Sequence, residues 1–270
     1  MTTNEAERRR WNDEYFASLW PKRERLTDQV TGYLFEVLAL RPGERVLDVG
    51  CGGGKTSIEA ARAVGAEGSV VGADVSAPLN RLARQRAEAA GVGNVEFQVV
   101  DVQVDPVEGA PFGVAMSQFG VMFFDEPVTA FANIRAHLEP GARLAFACWQ
   151  SAERNPWFFS TAIAEFLPAP PEPAPGKSPT GPFALADPGR TTGILESAGF
   201  VDVARTEHAI EVDAPEDSVV DDPQLASIGV SEDELPAAQA ALHAHMQQFR
   251  LESGLCRFPL RFQVFQAWAG

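Results

Sequence analysis

Between residues 42 and 150 the chain alternates two apolar patterns. Short, nearly continuous apolar runs appear at Val46–Val49, Ser69–Ala73, Val95–Val102, Phe112–Phe124 and Arg143–Trp149. Runs of this length read as strands buried on both faces. Between them lie segments with apolar residues three or four apart. They are Lys55–Ala63, the stretch holding Leu79, Leu82, Ala83 and Ala87, and the stretch holding Val128, Phe131, Ile134 and Leu138. Those spacings place the residues on one face of a helix. Ser76 is placed to cap the second helix, with Pro78 in its first turn. A turn at Glu139-Pro140-Gly141 is expected before the fifth strand.

The flanks differ. Residues 1–40 read as helical: Trp11, Tyr15 and Leu19 lie four apart, as do Phe16 and Trp20. Pro21 interrupts that pattern, and a second helix is expected over Leu26–Leu40, ended by Arg41-Pro42-Gly43. After Ser151–Phe159 a helix is expected through Phe166. A proline-rich stretch follows from Pro168 to Pro182 and reads as a surface loop or lid. A loop and helix are expected over Phe183–Phe200, then a strand over Val201–Val212. Residues 213–255 are acidic and then helical, with Ala237, Ala241, Ala244 and Gln248 sharing a face. Cys256–Trp268 alternates through Phe258, Leu260, Phe262 and Val264, a strand period.

Composition narrows the partners. The 270 residues hold 22 basic against 37 acidic side chains, a formal net charge of −15. Such a surface repels nucleic-acid phosphates and argues against stable membrane association. An apolar share of 45% supports a sizeable core. Three scattered cysteines, Cys51, Cys148 and Cys256, fit a reducing cytoplasm and offer no metal spacing. His243 and His245 are two apart and face different sides of a helix, so no metal pair is expected there. His137, in the last turn of its helix, reads as structural or solvated. Homodimerisation stays open.

The chemistry centres on Val46-Leu47-Asp48-Val49-Gly50-Cys51-Gly52-Gly53-Gly54, a strand running into a glycine turn at a helix N-terminus. Its free N–H groups suit a polar or anionic ligand group. The dinucleotide fingerprint G-x-G-x-x-G fails here because Lys55 stands at the sixth position. The phosphate loop G-x-x-x-x-G-K-[ST] matches Gly54-Lys55-Thr56 but falls one residue short, at Val49. The pattern acid-x-Gly-x-Gly-x-Gly is complete in Asp48, Gly50, Gly52 and Gly54. Further acids follow near the ends of the next two strands, Asp74 and Asp101, along the sheet edge where ligands bind. Asp74 reads either as an acceptor for two ribose hydroxyls or as a solvated loop acid or helix cap.

With these residues the chain resembles the class I S-adenosylmethionine-dependent methyltransferases. Ser117–Trp149 looks like their ubiquinone-biosynthesis-type branch (methyltransferase type 11/25). The resemblance covers roughly residues 42–150 and departs at Gly113, where the family usually has an acid. It implies an α/β fold with a Rossmann-like seven-stranded sheet in the order 3-2-1-4-5-7-6. The last strand would be antiparallel, with helices on both faces. One domain over 1–270 is expected: a helical cap at 1–41, a cofactor core at 42–150, and substrate-side insertions at 151–190 and 213–255.

The cofactor so implied is S-adenosylmethionine, leaving as S-adenosylhomocysteine. The Gly50–Gly54 loop, with Cys51 and Gly52, would hold its amino-acid part, Asp74 its ribose, Asp101 and the Val102 N–H its adenine, and Ser117 would sit beside its methionine portion; Asp48 and Val75 complete the cofactor-binding set. Phe119, Trp149 and Trp157 would form a flat apolar pocket for a small methyl acceptor. No catalytic base is assigned. Two alternatives remain: a protein of this fold that binds the cofactor without methylating, and a phosphate-loop nucleotide hydrolase.

Overall fold

The computed structural model describes residues 5–167, 180–219, 225 and 229–270. Seven strands form one sheet: β1 (Arg45–Val49), β2 (Ser69–Asp74), β3 (Val95–Val99), β4 (Phe112–Gln118), β5 (Leu138–Trp149), β6 (Phe200–Ala214) and β7 (Cys256–Ala269). Their order is β3-β2-β1-β4-β5-β7-β6. The first five pair in parallel, and β7 runs antiparallel between β5 and β6. The expected topology is the observed one.

Helices cover both faces. They are α1 (Glu5–Trp11), α2 (Glu14–Ser18), α3 (Trp20–Thr27), α4 (Val30–Leu38), α5 (Lys55–Val64), α6 (Ala77–Ala89), α7 (Pro127–Ala136), α8 (Pro188–Ser197) and α9 (Leu235–Met246). Burial on both faces explains why Val46, Leu47 and Val49 are all apolar; none is more than 2% exposed. Ser76 caps α6 as expected, its Oγ accepting from Leu79 N at 3.2 Å.

Several boundaries differ from the sequence reading. The helical pattern is interrupted beside Pro21: α2 ends at Ser18 and α3 begins at Trp20, with Pro21 in its first turn, where its missing N–H costs nothing. A further break falls between Thr27 and Val30, inside the second helix expected, and α4 ends at Ala39 in the left-handed region, φ +46°. β5 begins at Leu138, so Glu139-Pro140-Gly141 is part of the strand, absorbed by a register shift against β4 between Phe112 and Val114.

The helix expected after Phe159 is two separate 3₁₀ turns, Phe159–Thr161 and Ala164–Phe166, and another, Ala152–Arg154, lies before Trp157. Trp157 and Phe159 are buried and Phe158 half-buried. Three consecutive aromatic rings cannot share one helix face. In α9 the buried face is Ala238, Leu242 and Met246 rather than the alanine face expected. The proline-rich stretch lies outside the described residues up to 179. Among the described residues no helix is long and apolar enough to cross a membrane.

Candidate functional site

The glycine turn follows β1. Gly50 adopts φ +68°, and a Cβ there would meet the Gly120 Cα at 2.8 Å. Gly50 and Gly120 therefore let the turns after β1 and β4 touch backbone to backbone. Gly50 N donates to Ala73 O at 2.8 Å, so the loop is also tied to the end of β2. Gly52 and Gly53 have a different neighbour. The Trp20 indole lies against both, 2.4 Å from an ideal Cβ at Gly52 and 2.6 Å from one at Gly53. The N-terminal helices thus rest directly on the glycine turn.

A cavity of about 280 Å³ opens at the carboxyl ends of β1, β2 and β4. Gly50, Cys51, Asp74, Val75, Asp101, Val102, Phe119, Trp149 and Trp157 line it. Asp48, Gly52 and Ser117, also singled out in the sequence, are not among the lining residues and are held as follows. Asp48 is fully buried, its Oδ2 accepting from Thr56 Oγ and Ser57 Oγ, each at 2.6 Å. It ties β1 to the first turn of α5. Burial raises its pKa to about 6, against the lowering effect of the two hydroxyls. Gly52 N donates to Asp74 Oδ2 at 2.8 Å. Ser117 Oγ accepts from Gly120 N at 3.2 Å, shaping the turn after β4.

The two acids on the wall differ. Asp74 Oδ1 accepts from Ser76 N and Oδ2 from Gly52 N, both at 2.8 Å. Burial raises its pKa, opposed by these N–H groups. A carboxylate carries more lone pairs than two N–H groups fill, so it retains capacity for a ligand. Asp101 Oδ1 accepts from Gln103 N at 3.1 Å, but Oδ2 is buried without a hydrogen-bond partner. Its pKa is raised by burial. An orphaned acceptor on a cavity wall calls for an N–H or O–H from a ligand.

Aromatic rings form two groups on this cavity. Trp11 packs edge-on against Phe16, Trp20 and Phe123, with ring centroids 4.9, 6.0 and 5.2 Å away. Asn12 fastens this group beside Asp74: its Nδ2 donates to Val75 O at 3.0 Å and its Oδ1 accepts from Ala77 N at 3.0 Å. In the second group Phe119 stacks on Trp149, and Trp157 meets Trp149 edge-on at 5.3 Å. Phe119 is a non-glycine residue at φ +64°. Trp11 and Trp20 stand on this wall; the sequence marked residues 1–41 as a helical cap without singling out these two rings as site residues.

Lys55 pairs with Asp28 at 2.5 Å, an arrangement that occupies the ammonium a phosphate loop would need. His137 is structural. Its Nε2 accepts from Val107 N at 2.9 Å and its Nδ1 faces Asn133 O at 2.7 Å.

Residues 46–141 match the sequence model of a family described as a methyltransferase domain. This domain belongs to the class I S-adenosylmethionine-dependent methyltransferases. S-adenosylmethionine is its cofactor, and the donor-poor, acceptor-rich wall at Asp74 and Asp101 fits a group bearing hydroxyls and an amine. Among relatives of the methyltransferase domain is aklanonic acid methyltransferase DauC from Streptomyces sp. strain C5. It is 36% identical over 104 residues, 38% of this chain and 47% of its own length. A ubiquinone/menaquinone biosynthesis C-methyltransferase, UbiE of Teredinibacter turnerae, is 30% identical over 53% of this chain and 61% of its own length. Nocamycin O-methyltransferase from Saccharothrix syringae is 27% identical over 67% and 68%. The chain thus spans about half of DauC and somewhat more of UbiE. YcgJ from Bacillus subtilis shares the fold at TM-score 0.61 and 14% identity, over 89% of this chain and 98% of its own.

Proposed function

We propose that the protein transfers the methyl group of S-adenosylmethionine to an O, N or C nucleophile on a small apolar or aromatic molecule. One observation carries this reading: a single cavity holds Asp74, Asp101 and the glycine turn together with the Phe119–Trp149 stack and Trp157. In it Asp74 takes the ribose hydroxyls, Asp101 Oδ2 the adenine amine, and the glycine turn the amino-acid part. The aromatic group takes the acceptor. Residues 1–41 act as the cap, 42–150 as the cofactor core, and the segments 151–190 and 213–255 furnish the acceptor side. By their names, the relatives are an aklanonic acid methyltransferase, a nocamycin O-methyltransferase and a C-methyltransferase of ubiquinone and menaquinone biosynthesis, all names of small molecules rather than polymers.

When bound, the cofactor supplies a methyl on a positively charged sulfur, an electrophile that needs little activation. The protein's task is to align the two reactants and exclude water. Positioning of this kind contributes about 7–11 kcal/mol. Among the described wall residues, Phe119, Met122, Trp149, Trp157, Phe158 and Phe159 are apolar and offer no proton acceptor. They orient and desolvate.

The test is methyl transfer from labelled S-adenosylmethionine to panels of phenols, quinol-like compounds and fatty acids. Turnover on at least one small molecule is expected. Transfer only to protein or nucleic acid, or cofactor binding with no transfer to any acceptor, would overturn the reading.

A further inference from the structure

The second aromatic group is held in place by a residue outside the cavity. Asn155 is 0% exposed and lies between β5 and Trp157, just after the 3₁₀ turn Ala152–Arg154. Its Nδ2 donates to Arg261 O at 2.9 Å and to Gln150 O and Ser151 O at 3.2 Å each. Its Oδ1 accepts from Arg261 N at 2.9 Å and from Trp157 Nε1 at 3.1 Å. One amide therefore uses all its capacity. The Nδ2 closes the turn after β5 onto β7, and the Oδ1 fixes the indole.

That indole is the far end of a chain of rings. Trp157 meets Trp149 at 72° with centroids 5.3 Å apart, and Trp149 lies flat on Phe119. Trp157 is 4% exposed yet forms part of the cavity wall. A ring on a loop has several rotamers of similar energy, and a buried hydrogen bond to its N–H selects one.

We propose that Asn155 is a positioning residue for the acceptor: through Trp157 it sets the shape of the aromatic wall against which a flat acceptor packs. This rests on the reading that the aromatic group is the acceptor side. Asn155 touches neither reactant, so its effect falls on acceptor binding and spares the cofactor.

The test uses the full chain saturated with S-adenosylhomocysteine and titrated with anilinonaphthalene sulfonate, a flat apolar probe that fluoresces on binding. Trp157→Phe keeps a ring but removes the N–H; Asn155→Asp keeps an acceptor for the indole but sets a carboxylate against three carbonyls. Each is expected to weaken the probe about fivefold, the scale of one lost buried hydrogen bond. The double variant is expected to be no weaker than the weaker single, because both act through the placement of one ring. The S-adenosylhomocysteine Kd is expected to stay within about twofold in all three, on the same grounds of separate sites.

Probe binding unchanged in Trp157→Phe overturns the proposal, even if Asn155→Asp does not fold. So do additive losses, or equal weakening of S-adenosylhomocysteine. Failure of wild type to bind the probe removes the acceptor pocket and the proposal with it. Failure of wild type to bind S-adenosylhomocysteine instead strikes the proposed function itself.

Discussion

The Asp74 carboxylate accepts a hydrogen bond from the backbone N–H of Gly52, 2.8 Å away and 22 residues earlier in the chain. One side chain thereby holds the glycine turn after β1 against the end of β2, while its other oxygen holds the turn into α6 through Ser76 N. Loop shape and ligand capacity reside in the same group. Asp74→Ala is expected to lose both N–H contacts, each charge-assisted and worth about 1.5–3 kcal/mol. Calorimetric titration should show S-adenosylmethionine weakened at least about tenfold, the equivalent of 1.4 kcal/mol. Equal affinity in the variant would remove Asp74 from the site.

Asp101 gives a pH signature. Burial raises its pKa, so part of its population is protonated in a range where an ordinary carboxylate is fully charged. An amine N–H donated to Oδ2 favours the ionised form and draws the pKa back down. Cofactor binding should therefore release a proton, and affinity should rise with pH through the raised pKa. Calorimetry in buffers of different ionisation enthalpy measures that proton. In Asp101→Asn it should vanish.

Phe119 separates backbone strain from side-chain function. At φ +64° a residue with a Cβ is strained, by about 1–2 kcal/mol relative to the ordinary region. The stack on Trp149, with centroids 4.0 Å apart and planes 13° apart, offsets it. Phe119→Gly should therefore unfold at higher urea than Phe119→Ala, reversing the usual order for the pair, by about 1 kcal/mol. Both should lose acceptor turnover. An Ala variant more stable than the Gly variant would show that the strain is absent.

Asp48 should make stability fall with rising pH. Its folded pKa of about 6 exceeds the ordinary 3.8, so between those values the folded state holds more protons than the unfolded. Stability then decreases as pH rises from about 4 to about 6, by roughly 2 kcal/mol across that range. Asp48→Asn keeps an oxygen for Thr56 and Ser57 and cannot ionise. Urea denaturation at the two ends of that range should show this slope flattened in the variant. An unchanged slope would assign it to other carboxyls.

The sequence by itself determined the sheet. Strands buried on both faces must be continuously apolar, and β1, β2 and β4 are; the alternation in Cys256–Trp268 marked β7 as a strand, and family resemblance supplied the order. Gly50, Asp74 and Asp101 were legible because a turn, a strand end and an acid are local signals. The tertiary structure decided the rest. Whether the segment after Phe159 forms a helix or 3₁₀ turns depends on where its apolar side chains find a pocket, which no local period encodes. That Asp48 stands behind the cavity wall while Asp74 lies on it follows from which hydroxyls α5 brings within 2.6 Å. Trp20 on the glycine turn and Asn155 behind Trp157 join residues 32 and 106 positions apart, to Gly52 and Arg261. Such contacts are set by the closing of the sheet and its helices, because a side chain's partners are fixed by packing in space and only weakly by its neighbours along the chain.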